Sequence, residues 1–303
     1  MTDLAIDVHG LRKAYGATVA LDGLDLRVER GEVVGLLGPN GAGKTTTVKL
    51  LLGLTRPTHG EGTVLARPLG DREARRGIGY LPELFRYQAW LTAREVLQLH
   101  ARLAGLAGGR ARDEIERVLG VVDLRDRGRD RVGGFSKGMQ QRLGLATALL
   151  GDPALVILDE PTSALDPVGR DDVRAIIREA SDRGSTVVLN SHLLGEVERV
   201  CDRVAIVHRG HVVAAGSLED LLGEGAVRIR VTGLAAGDET ADAYGHVTRD
   251  DEWLEVAPIA DDRVPELVAA LVAAGGRIHA VEPGRRSLED LFLGLVRDGE
   301  AAP

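Results

Sequence analysis

Gly38-Pro39-Asn40-Gly41-Ala42-Gly43-Lys44-Thr45 decides the fold, because this stretch has the form G-x-x-x-x-G-K-[ST] of a phosphate-binding loop. An apolar run at 33–37 precedes it, and a helix-like stretch at 46–52 follows it. The backbone N–H groups of such a loop turn into one concavity, and the helix N-terminus adds positive potential. The pattern therefore predicts a strand, a phosphate-binding loop and a helix rather than an ordinary glycine-rich turn.

The side chains of this loop have chemistry suited to a nucleoside triphosphate. Lys44 would give a positive charge to the β- and γ-phosphates, and the Thr45 hydroxyl would ligate Mg²⁺. We expect nucleotide contacts along the loop and at the next residue, namely Gly38, Pro39, Asn40, Gly41, Ala42, Gly43, Lys44, Thr45 and Thr46.

Composition excludes several classes of protein. A length of 303 residues fits one large domain and a small one. The net charge of −8 argues against a general nucleic-acid binder. The single cysteine, Cys201, rules out an internal disulfide. Neither a signal peptide nor an apolar run of about 18 residues is present, so we expect a soluble chain whose membrane role, if any, runs through a partner.

Alternating strand and helix patterns predict an α/β fold with a parallel sheet. Strand patterns occupy 4–35, another β piece covers 61–81, and helical spacing dominates 92–150. Continuous apolar runs, typical of central parallel strands, occur at 155–158, 186–189 and 203–207, with a helix at 167–182 between the first two.

The predicted chain divides into two domains. Residues 1–222 form the larger one, with a helical subdomain at about 84–150, and residues 223–303 form a small α+β domain. The boundary is placed at the glycine-rich turn 223–225, and strand and helix patterns start again after it.

Two carboxylates end the apolar run at 155–158. Asp159 is in position to hold Mg²⁺ through its water shell, and Glu160 would then lie beside the γ-phosphate, where a carboxylate polarises the attacking water. The alternative is a strand that ends in ordinary surface acids.

Phe135-Ser136-Lys137-Gly138-Met139-Gln140-Gln141-Arg142 lies shortly before that strand, and here the chain resembles the ATP-binding-cassette (ABC) family, whose signature is usually LSGGQ. Ser136 and Gly138 are kept, whereas Lys137 replaces the first glycine, a form similar to that of ABC-2-type exporters. The resemblance implies a P-loop NTPase fold with a parallel-sheet core, an antiparallel β subdomain and a helical subdomain. We expect Ser136 to cap a helix aimed at phosphate. Lys137 either adds charge toward the nucleotide or is a solvated surface lysine.

Other family motifs follow in the same order. Ser163-Ala164-Leu165-Asp166 resembles the D-loop, which contacts the opposite subunit, and implies a nucleotide-site role for Asp166. His192 resembles the switch histidine, which hydrogen-bonds the γ-phosphate. Tyr15 stands where the family has an aromatic side chain that stacks on adenine; a half-buried core tyrosine is the alternative.

One residue departs from the family pattern. Glu83 replaces the usual glutamine, and it would offer a charged oxygen to Mg²⁺ or to the attacking water. The next segment, 84–95, contains Phe85, Tyr87 and Trp90, three of the nine aromatic residues in the chain. In the family this region receives a helix of the membrane subunit; a satellite core is the alternative.

The resemblance is dense over 4–222 and weaker over 225–303, which is similar to the C-terminal appendage of drug and lipid exporters. It implies an ATPase subunit at the cytoplasmic face of the cell membrane, attached to a separate polytopic membrane subunit and without nucleic-acid partners. Two copies, most simply identical, would enclose two ATP molecules head to tail, each between Lys44 of one copy and Ser136 of the other.

Two rival functions stay open at this point: a soluble ABC ATPase acting on ribosomes or DNA, and a nucleotide-dependent regulatory module with 225–303 as sensor. The chain has one phosphate loop, and only 92 residues separate Lys44 from Ser136. Relatives that act on ribosomes carry two cassettes, and those that act on DNA carry a long coiled-coil insertion between these motifs. Both features argue against the first rival.

Overall fold

The computed structural model describes residues 3–163, 165–222, 225–235, 237–284 and 287–301. Ala164 of the predicted D-loop and residues 223–224 of the predicted domain boundary lie outside the described residues. The chain folds as two compact units, Met1–Ala215 and Gly216–Pro303. The sequence-based boundary between 222 and 223 stays a prediction.

The first unit alternates strands and helices. Its strands are β1 (Leu4–Tyr15), β2 (Thr18–Glu29), β3 (Val33–Leu37), β4 (His59–Val64), β5 (Arg67–Pro68), β6 (Ile78–Leu81), β7 (Leu155–Asp159), β8 (Thr186–Asn190), β9 (Arg203–His208) and β10 (His211–Ser217), the last two residues of which belong to the second unit. Its helices are α1 (Lys44–Leu51), α2 (Arg72–Arg76), α3 (Ala93–Leu103), α4 (Gly108–Val121), α5 (Lys137–Ala148), α6 (Pro167–Asp182) and α7 (Leu194–Val200).

A six-stranded sheet in the order β10-β9-β3-β8-β7-β6 forms the centre of this unit. Strands β9, β3, β8, β7 and β6 pair with one another in parallel. Every residue of β3, β7 and β8 is buried, as continuous apolar runs predict for central parallel strands. The carboxyl ends of these three strands meet at one edge, where ligands of open parallel sheets bind. The phosphate loop and the two acids at the end of β7, Asp159 and Glu160, therefore share that edge.

A second sheet is antiparallel, in the order β2-β1-β4-β5. Its apolar residues share one core with β3 and α1, including the fully buried Leu11 and Leu24. The predicted β piece at 61–81 is corrected in one respect: α2 interrupts it, and β6 pairs with β7 in the parallel sheet. The cause is local, because the Asp71 carboxylate accepts the N–H groups of Glu73 and Ala74 and so begins a helix.

The predicted helical stretch at 92–150 is confirmed by α3, α4 and α5. Thr92 and Glu95 form a reciprocal capping box at the start of α3, and this fixes where the helix begins. The predicted helix at 167–182 coincides with α6. No helix in the described ranges has the length and apolar character needed to cross a membrane.

The second unit is a four-stranded antiparallel sheet in the order β12-β13-β11-β14, where β11 is Val227–Thr232, β12 is His246–Asp250, β13 is Trp253–Ala257 and β14 is Arg277–Pro283. Its helices are α8 (Leu218–Leu222), α9 (Val264–Ala273) and α10 (Leu288–Ala301). Leu267 and Leu271 of α9 pack with Ile229 and Val256 of the sheet in a separate core. Ser217 and Ser287 cap helices α8 and α10.

Candidate functional site

The phosphate loop joins β3 to α1 in a conformation that only glycine adopts easily. Gly38, Gly41 and Gly43 have φ values of +156°, +82° and +113°. A Cβ atom on Gly38 would lie 2.3 Å from the carbonyl oxygen of Val207. At Gly38 the loop therefore lies directly against neighbouring backbone, where a side chain would not fit.

Lys44 lies beneath the loop, only 9% exposed. Its Nζ donates hydrogen bonds to the carbonyl oxygens of Gly38 at 2.6 Å and Pro39 at 3.1 Å. Burial lowers the Lys44 pKa, and the carboxylates of Glu160, Asp159 and Glu83 oppose this shift. These charges thus lie within electrostatic range of one cation.

The remaining loop side chains differ in exposure. Thr45 and Asn40 are exposed, Thr46 and Pro39 are half-buried, and Ala42 is buried. No hydrogen bond within the described ranges engages the Thr45 hydroxyl. Its oxygen is therefore available to a ligand.

Asp159 ends β7 and is only 5% exposed. Burial raises the Asp159 pKa, and Glu83 and Glu160 act in the same direction. A hydrogen bond from Asn190 and the charge of Lys44 act in the opposite direction. The carboxylate is thus a desolvated anion that a cation in the site would stabilise.

Glu160 is held from two sides. Its Oε1 accepts the backbone N–H of His192 at 3.0 Å and lies 2.7 Å from His192 Nδ1. Its own N–H donates to the carbonyl oxygen of Asn190 at 2.8 Å. Glu160 has a φ of +52°, an uncommon conformation for a residue with a side chain, and these bonds maintain it. Its Oε2 is buried and has no hydrogen-bond partner in the described part of the chain.

The sequence interpretation gave no role to two buried residues near these acids, Asn190 and Gln141. Asn190 Nδ2 donates to Asp159 Oδ1 at 2.5 Å. Gln141 Nε2, on α5, donates to the carbonyl oxygen of Pro161 at 2.8 Å. A polar residue at the end of an apolar strand is the sequence signal that would have found Asn190.

Glu83, exposed after β6, contributes charge rather than a hydrogen bond. Its carboxylate affects both Lys44 and Asp159 electrostatically. The described residues contain no cluster of three or more His, Cys, Asp or Glu side chains that could hold a metal ion. The metal set Thr45, Asp159 and Glu83 therefore stays a prediction. One buried carboxylate and a hydroxyl suit Mg²⁺, which usually takes one or two carboxylates and completes its shell with water and phosphate oxygens.

The signature segment is positioned by helix α5. Ser136 Oγ accepts the N–H of Met139 at 3.2 Å and caps the helix, as predicted. Lys137 is exposed at the first helical position, and Gly138 follows it. No hydrogen bond or ion pair among the described residues joins Ser136 to the phosphate loop. Within the described part of one chain, Ser136 and Lys44 are therefore not linked by a hydrogen bond or an ion pair.

Asp166 and Tyr15 lie at the edges of the predicted site. The Asp166 carboxylate accepts the Gly169 N–H at 2.8 Å and caps α6, so it has a local structural role. Tyr15 is 47% exposed, with Lys13 Nζ 4.9 Å from its ring centroid. Tyr15 is therefore not a core residue, and its ring is accessible for stacking.

The aromatic segment after Glu83 is divided between packing and exposure. The rings of Phe85 and Tyr87 lie 5.4 Å apart, and the Tyr87 hydroxyl is 3.1 Å from Thr147 Oγ1. Leu84 and Trp90 are 87% and 69% exposed. Phe85 and Tyr87 thus belong to a small packed cluster, whereas Leu84 and Trp90 leave apolar surface exposed.

A cavity of about 330 Å³ opens between the start of β6 and helices α3 and α5. Its lining combines apolar and cationic side chains, including Tyr80, His100, Leu103, Arg75 and Arg76. Such a lining suits a protein segment that carries both apolar and acidic side chains.

Comparisons with known proteins agree with this geometry. The profile of the family described as "ABC transporter" matches residues 21–163. The daunorubicin resistance ATP-binding protein DrrA3 of Streptomyces coeruleorubidus is 40% identical over 309 residues, covering 98% of this chain and 98% of that protein. The Nod factor export ATP-binding protein I of Rhizobium sp. (strain N33) is 40% identical over 226 residues, covering 74% of each chain. A solved structure, the dimeric structure of the bacterial ABC transporter cassette MJ0796, has a TM-score of 0.64 and 27% identity, covering 70% of this chain and 98% of that one.

Proposed function

Because this chain belongs to the ATP-binding subunits of ABC transporters, which bind and hydrolyse ATP, we propose that two copies of it clamp two ATP molecules head to tail and drive an ABC-2-type exporter. The two relatives are named for daunorubicin resistance and for Nod factor export, and both names support an export role. The dimeric cassette supports the paired arrangement.

The phosphate loop suits the triphosphate of ATP. Gly38, Gly41 and Gly43 leave space for phosphate oxygens close to the backbone, and the N-terminus of α1 points its N–H groups into the same space. Lys44 is already oriented by loop carbonyls, so binding requires little reordering. The exposed ring of Tyr15 would stack on adenine.

Thr45 and Asp159 would hold Mg²⁺ with the nucleotide, and Glu83 would add a charged oxygen nearby. The buried Asp159 carboxylate supports this assignment, because burial raises its pKa and a desolvated anion is stabilised by a cation. When bound, Mg²⁺ would neutralise charge that develops on the β- and γ-phosphates.

The pairing of Glu160 with His192 is the observation that carries the proposed hydrolysis. Glu160 Oε1 is fixed by His192, which leaves Oε2 to accept a proton from an attacking water. His192 is 59% exposed, so its ring is able to approach a γ-phosphate as well as the carboxylate. Loss of the γ-phosphate would then change the contacts of this histidine.

The signature helix is proposed to complete the site of the other copy. Ser136 and Lys137 lie exposed at the N-terminus of α5, where helix N–H groups and the lysine charge favour phosphate. Gly138 keeps this surface free of a side chain. Asp166, which caps α6 near this segment, would orient the D-loop toward the second copy.

The partner in the membrane is proposed to contact the exposed apolar residues Leu84 and Trp90 and the cavity between β6, α3 and α5. Through this contact the subunit would lie at the cytoplasmic face of the cell membrane. We propose that the two attached copies are identical, since both halves of the site, Lys44 and Ser136, are present in one sequence.

The replacement Glu160→Gln tests the proposed function. We expect it to retain ATP binding, to abolish turnover, and to trap an ATP-bound dimer visible by size-exclusion chromatography with light scattering. Glu198→Gln is the matched control, since Glu198 is exposed on α7 and has no ion pair among the described residues. Near-normal ATPase activity of Glu160→Gln would contradict the assignment, whereas Glu198→Gln is expected to resemble the unmodified protein.

A further inference from the structure

Asn190 connects both acids of the site to strand β8. Its Nδ2 donates to Asp159 Oδ1 at 2.5 Å, and its backbone carbonyl accepts the Glu160 N–H at 2.8 Å. Asp159 and Asn190 are paired directly in the register of β7 and β8. The parallel sheet therefore fixes the distance between the amide and the carboxylate.

The Asn190 amide is used only in part by the protein. Its Oδ1 is buried and has no hydrogen-bond partner in the described residues, although the side chain as a whole is only 3% exposed. Buried carbonyl groups in native proteins are almost always hydrogen-bonded. The acceptor lies beside the carboxylate proposed to hold hydrated Mg²⁺, so a water molecule of that shell is the donor that fits.

We propose that Asn190 is a positioning residue for the metal: its amide N–H holds one oxygen of Asp159, leaves the other for the hydrated ion, and its Oδ1 accepts a hydrogen from a water of that shell. This inference rests on the proposed function, because it requires Mg²⁺ beside Asp159. Outer partners of metal-binding carboxylates restrict their rotation, and their loss typically costs about 10–100-fold in metal affinity or activity.

Asn190→Leu tests the proposal, because leucine has nearly the same size but lacks both amide functions. Mn²⁺, detected by electron paramagnetic resonance, is titrated into the full-length protein with a non-hydrolysable ATP analogue. We expect Mn²⁺ affinity about 10-fold weaker or more. Affinity for the analogue in the presence of a chelator is expected to be unchanged, since Asn190 is proposed to act on the metal and not on the phosphate loop.

Two further variants keep the test independent of folding. Thr186→Val removes a partly buried hydrogen bond at the other end of β8, where Thr186 Oγ1 accepts the Gly31 N–H at 3.0 Å. It is expected to bind Mn²⁺ normally. Asn190→Ser, whose side chain is too short for the bond to Asp159, carries the test if Asn190→Leu does not fold, with the same expected loss.

The outcomes separate this inference from the proposed function. Normal Mn²⁺ affinity in the Asn190 variants, with weakened affinity in Asp159→Asn, would overturn the inference alone. Normal affinity in Asp159→Asn would overturn the metal site itself. An equal loss of Mn²⁺ affinity in Thr186→Val and Asn190→Leu would also overturn the inference about Asn190. The loss would then result from a disturbed strand β8 and not from the missing amide.

Discussion

Replacement of Gly43 by alanine should damage the phosphate loop in two separable ways. Gly43 has a φ of +113°, which residues with a side chain rarely adopt. A Cβ atom there would lie 2.5 Å from Leu21 Cδ2 and 2.8 Å from the carbonyl oxygen of Ala20. The leucine methyl group moves with its side chain, but the Ala20 oxygen belongs to the backbone of β2 and does not.

The magnitude follows from adding the two costs. A left-handed conformation costs about 1–2 kcal/mol for a residue with a side chain, and overpacking costs about 1–3 kcal/mol. Gly43→Ala should therefore lower the free energy of unfolding by about 2–5 kcal/mol. Gly41→Ala is the matched control, because Gly41 has a φ of +82° in the same loop and nothing within 4 Å of its Cβ position. It should lose only about 1–2 kcal/mol.

The assay is thermal unfolding of the full-length, nucleotide-free proteins, followed by circular dichroism. The expected excess loss in Gly43→Ala, about 1–3 kcal/mol, corresponds to a further fall in Tm of roughly 2–12 °C for a unit of this size. Equal losses in the two variants would refute the reasoning, because they would mean that β2 does not press on the loop.

Two other predictions concern the nucleotide site. Burial raises the Asp159 pKa, so a protonated Asp159 stabilises the folded state. This stabilisation is fully present below the ordinary Asp pKa of about 3.9, and it is lost as the pH rises through the raised pKa of the folded protein. Asp159→Asn should therefore raise the Tm of nucleotide-free protein at pH 7, and the gain should shrink toward pH 4; a gain that is constant across this range in scanning fluorimetry would contradict it. Tyr15→Ala should weaken binding of a fluorescent ATP analogue by about 5–150-fold, the equivalent of about 1–3 kcal/mol of stacking. Tyr15→Phe keeps the ring and should bind the analogue normally. Equal affinities of Tyr15→Ala and the unmodified protein would argue against stacking.

The residues predicted well from sequence are those fixed by local chemistry. The loop from Gly38 to Thr45 carries its own conformational requirement, and the apolar run before Asp159 fits only a buried strand. The Ser136 cap was predictable for the same reason, because a hydroxyl before a helix bonds a backbone N–H three residues later.

The features that sequence reasoning missed depend on partners far along the chain. The hydrogen bond from Asn190 to Asp159 forms because the register of β7 and β8 places the two residues side by side. The sequence of either strand alone does not predict that register. Gln141 similarly bonds Pro161 across 20 residues. Strand β12 was missed because it has one apolar residue and its side chains are mostly exposed. Strand β10 was missed although it contains the short apolar run 212–215.

Glu83 gives this site a charge balance that a glutamine would not give. Three carboxylates, those of Glu160, Asp159 and Glu83, act on the single ammonium of Lys44, so the site is negative before a triphosphate enters. The carboxylates repel the negatively charged phosphates of ATP, and water and salt only partly screen the contribution of the exposed Glu83. ATP without a divalent cation should therefore be opposed more strongly than in a site with glutamine, whereas a metal-bound nucleotide relieves the repulsion that already raises the pKa of Asp159. The substitution at position 83 is thus expected to make nucleotide binding more dependent on the metal, rather than to remove the site's capacity for hydrolysis.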